Sequence, residues 1–198
     1  MIVAIIPSVK EPYKNQYELS IELNLIRFIN FLFDKPNIII LNDINYKYKY
    51  DFLVISGGGG NDLYNLKKNN KNKIRNKITN YFFNKSLKKN IPILGFCYGA
   101  QFIAHKYKSK ILKKEHLVKH KVKIDYMNIN KKLIVNSYHN YIISKLGRDL
   151  IEIAIAQDNS IESFKHKNKK ILGIMWHPER NRNISKYDIK IIKLVLCT

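Results

Sequence analysis

The sequence of 198 residues carries 36 Lys+Arg against 15 Asp+Glu, a formal net charge of +21, and is 45% hydrophobic and 12% aromatic. These apolar fractions exclude a disordered basic tail, and 8 Gly, 5 Pro and 2 Cys exclude collagen-like, low-complexity and disulfide-scaffold proteins. Length and composition predict one globular domain over residues 1–198, and the two cysteines suggest a reducing compartment.

Apolar runs bounded by turn residues predict the strands. In chain order they are residues 2–7, 37–41, 51–56, 91–97, 133–137, 150–157, 161–164 and 171–176, with a tight turn at 158–160. Strands alternate with helical segments in the first half, which indicates a parallel sheet covered on both faces. The second half is richer in strand.

Helices are predicted over residues 16–33, 71–89, 100–107 and 184–196. The first is ambiguous at its start, because Tyr17 and Leu19 alternate like a strand while Leu25, Phe28 and Leu32 recur at helical spacing. Its length favours a helix. Together these elements predict a three-layer α/β fold, with a mostly parallel central sheet and helices on both faces.

The positive charge has two interpretations. It is typical of proteins that bind a polyanion, such as nucleic acid, a membrane surface or a phosphorylated small molecule. The abundance of Lys, Asn, Ile and Tyr is also expected from a very AT-rich genome. The lysines are spread over several stretches, and the sequence has no helix-turn-helix spacing, RNP-type aromatic motif or zinc knuckle. An anionic substrate is therefore favoured over nucleic acid, and neither a cofactor nor a metal is predicted.

A cytoplasmic location is expected. The amino terminus has no basic segment of the kind that begins a signal peptide. No apolar run approaches the roughly 18–20 residues that a membrane-spanning helix needs.

The strongest chemical signal lies at residues 91–101, where an apolar strand runs through Gly95, Cys97 and Gly99 into a helix. This is the thiol form of a nucleophile elbow, in which flanking glycines permit a tight turn. A helix amino terminus favours thiolate, and the N–H of Tyr98 can face a developing oxyanion. In isolation the pattern is equally typical of a buried cysteine between turn glycines.

A second signal lies at the end of the strand 171–176, where His177 is followed by Pro178 and Glu179. Residues i and i+2 of an extended segment lie on the same side, so Glu179 can orient His177 as a base for the thiol. Alone, the motif is also typical of a solvated turn.

A third signal is Ser56 followed by four glycines, directly after the strand 51–56. Gly58 can supply a second oxyanion N–H. A phosphate-binding P-loop is excluded because no Gly-Lys-Ser/Thr follows, and a flexible turn is the other alternative.

In this order the segments resemble the class I glutamine amidotransferase-like superfamily, which comprises Cys-His-Glu hydrolases. The pattern Gly-x-Cys-x-Gly-x-Gln ends at Gln101, and a Val-Asn-Ser-x-His segment of γ-glutamyl amide hydrolases matches residues 135–139. His120-Lys-Val122 is a further similarity, whereas Gly59 and Gly60 replace a proline that many members have. His105, His116 and His166 match no motif and are expected at the surface.

The resemblance implies a catalytic triad of Cys97, His177 and Glu179 and an oxyanion hole formed by Gly58 and Tyr98. It also implies that substrate is bound by the following residues: Gln101, Asn136, Ser137, Tyr138 and His139. The implied reaction is hydrolysis of a γ-glutamyl amide through a glutamyl thioester.

The resemblance leaves several functions open. The loop Ser-Gly-Gly-x-x-Asn-Asp, ending at Asp62, and the compact size look like the γ-glutamyl-CDP-amidate hydrolases of capsular phosphoramidate synthesis. The alternatives are a glutaminase subunit that passes ammonia to a synthetase partner, and a basic nucleic-acid-binding module. Cysteine-elbow proteins of the chaperone/deglycase type lack His-Pro-Glu on a late strand and are ranked last.

Overall fold

The computed structural model describes residues 1–47, 49–58, 70–116 and 119–197. The strands in these residues are β1 (Ile2–Ile6), β2 (Ser8–Tyr13), β3 (Gln16–Ser20), β4 (Asn37–Ile40), β5 (Phe52–Ile55), β6 (Ile93–Phe96), β7 (Lys110–His116), β8 (His120–Tyr126), β9 (Ile129–Val135), β10 (His139–Lys145), β11 (Leu150–Ala156), β12 (Ile161–His166) and β13 (Ile171–Ile174). The helices are α1 (Leu23–Phe33), α2 (Asn70–Lys88), α3 (Tyr98–Lys106) and α4 (Lys186–Leu196), and a short 3-10 helix spans Pro178–Arg180.

The central sheet is mixed. Strands β4, β1, β5, β6 and β13 lie side by side in this order and are parallel. Beyond β13 the pairing is antiparallel through β12, β11, β8 and β9, and β10 pairs with both β12 and β7. Strands β2 and β3 form a separate hairpin directly after β1.

Helices cover both faces of the parallel strands, which confirms the predicted three-layer α/β arrangement. In β1, Val3 and Ile5 pack into the core that contains α1 and α4, whereas Ala4 and Ile6 pack into the core that contains α2 and α3. Side chains of a strand alternate between faces, so two-sided burial explains why β1 is almost wholly apolar. Among the described residues, no helix has the length and hydrophobicity needed to cross a membrane.

The prediction of a helix over residues 16–33 was wrong at its start. Residues Gln16–Ser20 form β3 and pair antiparallel with β2, and α1 begins only at Leu23. The alternation of Tyr17 and Leu19 was therefore the true signal. Leu25, Phe28, Ile29 and Leu32 form the buried face of α1, as their helical spacing predicts.

No strand was predicted for β2, β7, β8 or β10. In β8 lysines interrupt the apolar pattern: Val122 and Ile124 are buried while Lys121 and Lys123 are exposed. Of the histidines expected at the surface, His105 is exposed. His166 is instead buried. Its Nδ1 accepts the backbone N–H groups of Asn168 and Lys169, in the turn after β12, at 3.0 and 3.1 Å.

The parallel strands place several loops at one edge of the sheet. Ile174 of β13 pairs with Phe96 of β6, and Ile55 of β5 pairs with Gly95. The segments that follow these residues therefore leave the sheet together, at the carboxyl ends where open α/β sheets bind ligands.

Candidate active site

Cys97 occupies the tight turn between β6 and α3. Its φ of 46° and ψ of −98° lie in a region that residues other than glycine rarely adopt, so the turn is strained. Its N–H donates to the carbonyl of Ile174 at 2.8 Å, which ties the turn to β13. A Cβ on Gly99 would lie 2.3 Å from the carbonyl oxygen of Ile55, so glycine is required for α3 to approach β5. The buried thiol consequently stands at the positive end of α3.

His177 and Glu179 meet Cys97 in the structure. Nδ1 of His177 lies 2.6 Å from Oε1 of Glu179, and Cys97 is close enough to the same ring to raise its pKa. Burial lowers the pKa of His177, but the hydrogen bonds to Cys97 and Glu179 outweigh burial and raise that pKa to about 9. With Nδ1 engaged by Glu179, Nε2 is the ring nitrogen left for the thiol.

Asn136 holds the backbone of His177. Its Oδ1 accepts the His177 N–H at 2.8 Å, and its Nδ2 donates to the His177 carbonyl at 2.7 Å and to Oδ1 of Asn181 at 3.0 Å. The side chain is buried. The sequence placed Asn136 among the substrate-binding residues, whereas its amide is bound to protein groups behind the histidine.

The loop after β5 packs against the histidine ring. A Cβ on Gly57 would lie 2.5 Å from Cε1 of His177, so the backbone approaches the ring as closely as glycine permits. Gly58 follows with a φ of 83° and lies against Ser8 of β2. The remainder of the glycine-rich motif lies outside the described residues: Gly59, Gly60, Asn61 and Asp62.

Arg75 of α2 was not identified from the sequence. It is 1% exposed, and its guanidinium donates to the backbone carbonyls of Ser56 at 2.7 Å, Gly57 at 2.9 Å and Gly58. It also lies 3.6 Å from the ring centroid of Tyr98. The sequence does hold a signal for this residue. Arg75 precedes the buried Phe82 by seven residues, about two helical turns, so both lie on the core-facing side of the helix.

Gln101 and Ser137 are both buried near the carboxyl edge of the sheet. Nε2 of Gln101 donates to the carbonyl of Tyr141 at 3.4 Å, which joins α3 to β10. Its Oε1 has no hydrogen-bond partner among the described residues. A buried amide oxygen without a partner is costly, so this oxygen is a candidate acceptor for a ligand donor.

Tyr138 is half exposed and lies over the histidine. Its ring centroid is 5.7 Å from that of His177, and the guanidinium of Arg180 lies 4.7 Å from the Tyr138 ring centroid. Arg180 is held in turn by Glu22, to which its Nε donates at 2.8 Å. This hydrogen bond lowers the pKa of Glu22. These residues thus form one wall beside the thiol.

His139 is directed away from that wall. It is buried, with Nε2 3.7 Å from Oε1 of Glu162, and His120 approaches Oε2 of the same carboxylate at 3.5 Å. His139 was predicted to bind substrate, but its ring belongs to this buried cluster on β8, β10 and β12. Among the described residues, no group of three or more His, Cys, Asp or Glu is arranged to hold a metal ion.

A cavity of about 440 Å³ opens beside Gly58. One wall is the β2–β3 hairpin, which the sequence did not predict. The lining residues are Ser8, Val9, Lys10, Glu11, Pro12, Ser20, Glu22 and Gly58. Glu22 is paired with Arg180, and the other charged residues of this lining are Lys10 and Glu11.

Comparison with known proteins gives concordant results. The family model for class-I glutamine amidotransferases matches residues 16–193. A gamma-glutamyl-CDP-amidate hydrolase of Campylobacter jejuni is 42% identical over 152 residues, which cover 76% of this chain and 72% of that protein. A subunit of the glutamine-hydrolyzing GMP synthase of Picrophilus torridus is 32% identical over 99 residues, which cover 46% of this chain and 53% of that one.

A solved structure resembles the fold over almost the whole chain. The structure is that of a GMP synthase subunit from Thermoplasma acidophilum, with a TM-score of 0.71 at 22% identity. The similarity covers 98% of this chain and 90% of that chain. At this level of identity it establishes the architecture alone.

Proposed function

The chain belongs to the class-I glutamine amidotransferase family, and from this premise we propose that it hydrolyses a γ-glutamyl amide with Cys97 as nucleophile. The observation that carries the proposal is the 2.6 Å contact of Glu179 with His177, whose pKa both Glu179 and the neighbouring Cys97 raise. A thiol of ordinary pKa is mostly protonated at neutral pH, so a neighbouring base and a helix amino terminus are needed to produce the nucleophile. All of these features converge on Cys97.

The proposed reaction has two steps. In the first, Cys97 gives its thiol proton to His177, Sγ attacks the amide carbon, the C–N bond breaks, and His177 passes that proton to the leaving nitrogen. This step yields a glutamyl thioester. In the second, His177 takes a proton from water, which attacks the thioester and releases glutamate while the thiol is restored. Glu179 holds the imidazolium that forms in both steps.

The oxyanion hole is assigned to the backbone N–H groups of Gly58 and Tyr98. Gly58 lies on the loop that packs against His177, and Tyr98 directly follows Cys97 in the chain. Two N–H donors aimed at the developing charge stabilise a tetrahedral intermediate.

The binding of the glutamyl group is assigned to Gln101 of α3 and to the segment that leads into β10. Gln101 offers its buried Oε1 to the α-ammonium group, and Tyr138, which follows Ser137, lies over the ring of His177. Asn136 and His139 complete that segment, but their side chains bind protein groups. We therefore assign to Asn136 and His139 a structural role, in which they shape this part of the site without contacting the substrate.

The leaving group is assigned to the cavity beside the hairpin. The relative from Campylobacter jejuni acts, by its name, on gamma-glutamyl-CDP-amidate, and it aligns over three-quarters of this chain. The net charge of +21 favours an anionic group, for which Lys10 in the cavity wall offers a contact beside the acidic Glu11. We propose γ-glutamyl-CDP-amidate as substrate, with glutamate and cytidine diphosphoramidate as products.

The proposal is tested by measuring glutamate release from a panel of γ-glutamyl compounds. We expect turnover of γ-glutamyl-CDP-amidate well above that of glutamine or γ-glutamyl-γ-aminobutyrate. Ready hydrolysis of the latter two without hydrolysis of the CDP conjugate contradicts the substrate assignment, while no glutamate from any compound contradicts the reaction itself.

A second candidate is a glutaminase subunit that supplies ammonia to a synthetase. The similarity to the GMP synthase subunit of Picrophilus torridus over about half of each chain favours it. The same assay separates the two functions, because a glutaminase subunit hydrolyses glutamine and a conjugate hydrolase does not.

A further inference from the structure

We propose that Arg75 is a positioning residue for the oxyanion hole, an inference that rests on the proposed function. A guanidinium that is 1% exposed is costly to bury unless its donors are satisfied. Here Nη1 and Nη2 are directed at consecutive backbone carbonyls of one loop, those of Ser56, Gly57 and Gly58. The loop is the one that supplies Gly58, so the arginine holds the backbone of a proposed catalytic donor.

Peptide geometry relates this contact to the direction of the donor. The carbonyl of Gly57 and the N–H of Gly58 belong to the same peptide unit, and the described chain contains no cis peptide bond. In a trans unit the C=O and N–H point in opposite directions. Because Nη2 of Arg75 binds the Gly57 oxygen at 2.9 Å, the N–H of Gly58 points away from the guanidinium. Gly57 packs on the His177 ring, so this peptide unit lies beside the triad.

Arg75 contacts the second donor residue as well. The guanidinium lies 3.6 Å from the ring centroid of Tyr98, and the Tyr98 hydroxyl donates to Oδ1 of Asn76 at 2.8 Å. Adjacent residues of α2 therefore fix the side chain of the residue whose N–H faces the oxyanion. One helix thus restrains both N–H donors, which arise from loops that follow β5 and β6.

The contact also affects donor strength. A cation bound to a carbonyl polarises the peptide and makes the N–H of the same unit a better donor. A lysine would keep the charge but would replace a planar fork by a single ammonium group, which cannot bind the same set of carbonyls in the same geometry. Arg75→Lys therefore tests geometry separately from charge.

The experiment compares kcat, KM and the rate of Cys97 alkylation by iodoacetamide in wild-type protein and Arg75→Lys. Alkylation needs the thiolate but no oxyanion hole. We expect kcat to fall by about 100-fold, the effect of losing one oxyanion donor, with KM and the alkylation rate within about threefold of wild type. Lys77→Met, an exposed position on the same helix, is the control and should leave all three unchanged.

The outcomes distinguish the possible failures. A folded Arg75→Lys protein with wild-type kcat overturns the inference, and so does a parallel loss of kcat and alkylation, which indicates a general structural role. If this variant does not fold, the same comparison on Arg75→Gln decides in the same way. Wild-type protein that releases no glutamate contradicts the proposed function, and the role of Arg75 falls with it.

Discussion

The side-chain amide of Asn136 binds both backbone polar groups of His177, accepting the N–H at 2.8 Å and donating to the carbonyl at 2.7 Å. The two residues are 41 positions apart, and the contact joins the end of β9 to the segment that carries the proposed base. An asparagine matches this paired donor and acceptor, because its amide presents one of each.

Asn136→Ala is expected to lower kcat by about 10- to 100-fold, because the ring of His177 loses its fixed position relative to the thiol. The buried N–H of His177 also loses its partner, whereas the His177 carbonyl still accepts the N–H of Arg180, so the free energy of unfolding should fall by about 2 kcal/mol. Steady-state kinetics and urea unfolding measure both effects. Asn130→Ala, an exposed position on β9, is the control, and a kcat for Asn136→Ala within twofold of wild type contradicts the role.

Glu179→Gln is expected to change the pH dependence of the reaction. Burial lowers the pKa of His177, and the hydrogen bonds of Cys97 and Glu179 raise it to about 9. The wild-type rate should therefore fall as pH rises through about 9, where His177 loses the proton that the leaving group needs. Without the carboxylate this alkaline limb should move to lower pH. An unchanged limb in the profile of kcat/KM contradicts the assignment.

His177 also contributes to stability in a defined pH range. Its pKa is raised from 6.5 to about 9 in the folded protein, so the contribution is fully present below about pH 6.5 and is lost as pH rises through 9. The difference in unfolding free energy between wild type and Glu179→Gln should shrink over this range.

Asp188 of α4 should make the protein less stable as pH rises. Burial raises its pKa from 3.8 to about 7, against the hydrogen bond that Nε1 of Trp176 donates at 3.1 Å. The folded protein then holds a proton that the unfolded chain releases, so stability declines between about pH 4 and 7 and is constant above.

Asp188→Asn keeps an acceptor for Trp176 and removes the charge. It should resemble wild type below pH 4 and exceed it above pH 7 by an amount on the order of 2–4 kcal/mol. Urea unfolding at several pH values measures the difference. A difference that does not grow from pH 4 to 7 contradicts the pKa assignment.

Lys10→Glu tests the leaving-group cavity. Reversing a charge in its wall should raise KM for a diphosphate-bearing conjugate by about three- to tenfold, with less effect at high salt, because exposed charges are screened. KM for glutamine should change little. Lys14→Glu, in the turn of the same hairpin and outside the cavity lining, is the control. Equal effects of both variants contradict a specific contact.

The sequence predicts those features of the fold and site that depend on short segments. The elbow around Cys97 is recognisable because the close approach of Gly99 to Ile55 leaves room for glycine alone. His177 and Glu179 are recognisable because His-Pro-Glu follows the apolar run that forms β13, although Glu179 lies in the short 3-10 helix Pro178–Arg180 and not in an extended segment as the sequence predicted. Contacts between segments that are far apart in the sequence leave no such local pattern. Arg75 reaches a loop about 18 residues earlier, and Asn136 reaches His177 across 41.

The limits of the strand prediction have a similar cause. Strands β2 and β3 stabilise each other as a hairpin, so neither has the continuous apolar run that predicts a buried strand. In strand β8 the buried residues Val122 and Ile124 alternate with exposed lysines, which obscure the apolar pattern. The unpredicted hairpin is also the wall of the leaving-group cavity, which could not be inferred without it.

The central claim is that Cys97 is the nucleophile, and glutamate release by Cys97→Ala tests it most directly. Cys197→Ala is the matched control, because the protein has a second free cysteine, exposed at the end of α4. We predict that Cys97→Ala loses at least about 10⁴-fold in kcat with unchanged circular dichroism, while Cys197→Ala keeps wild-type turnover. Turnover by Cys97→Ala at the wild-type rate would contradict the account.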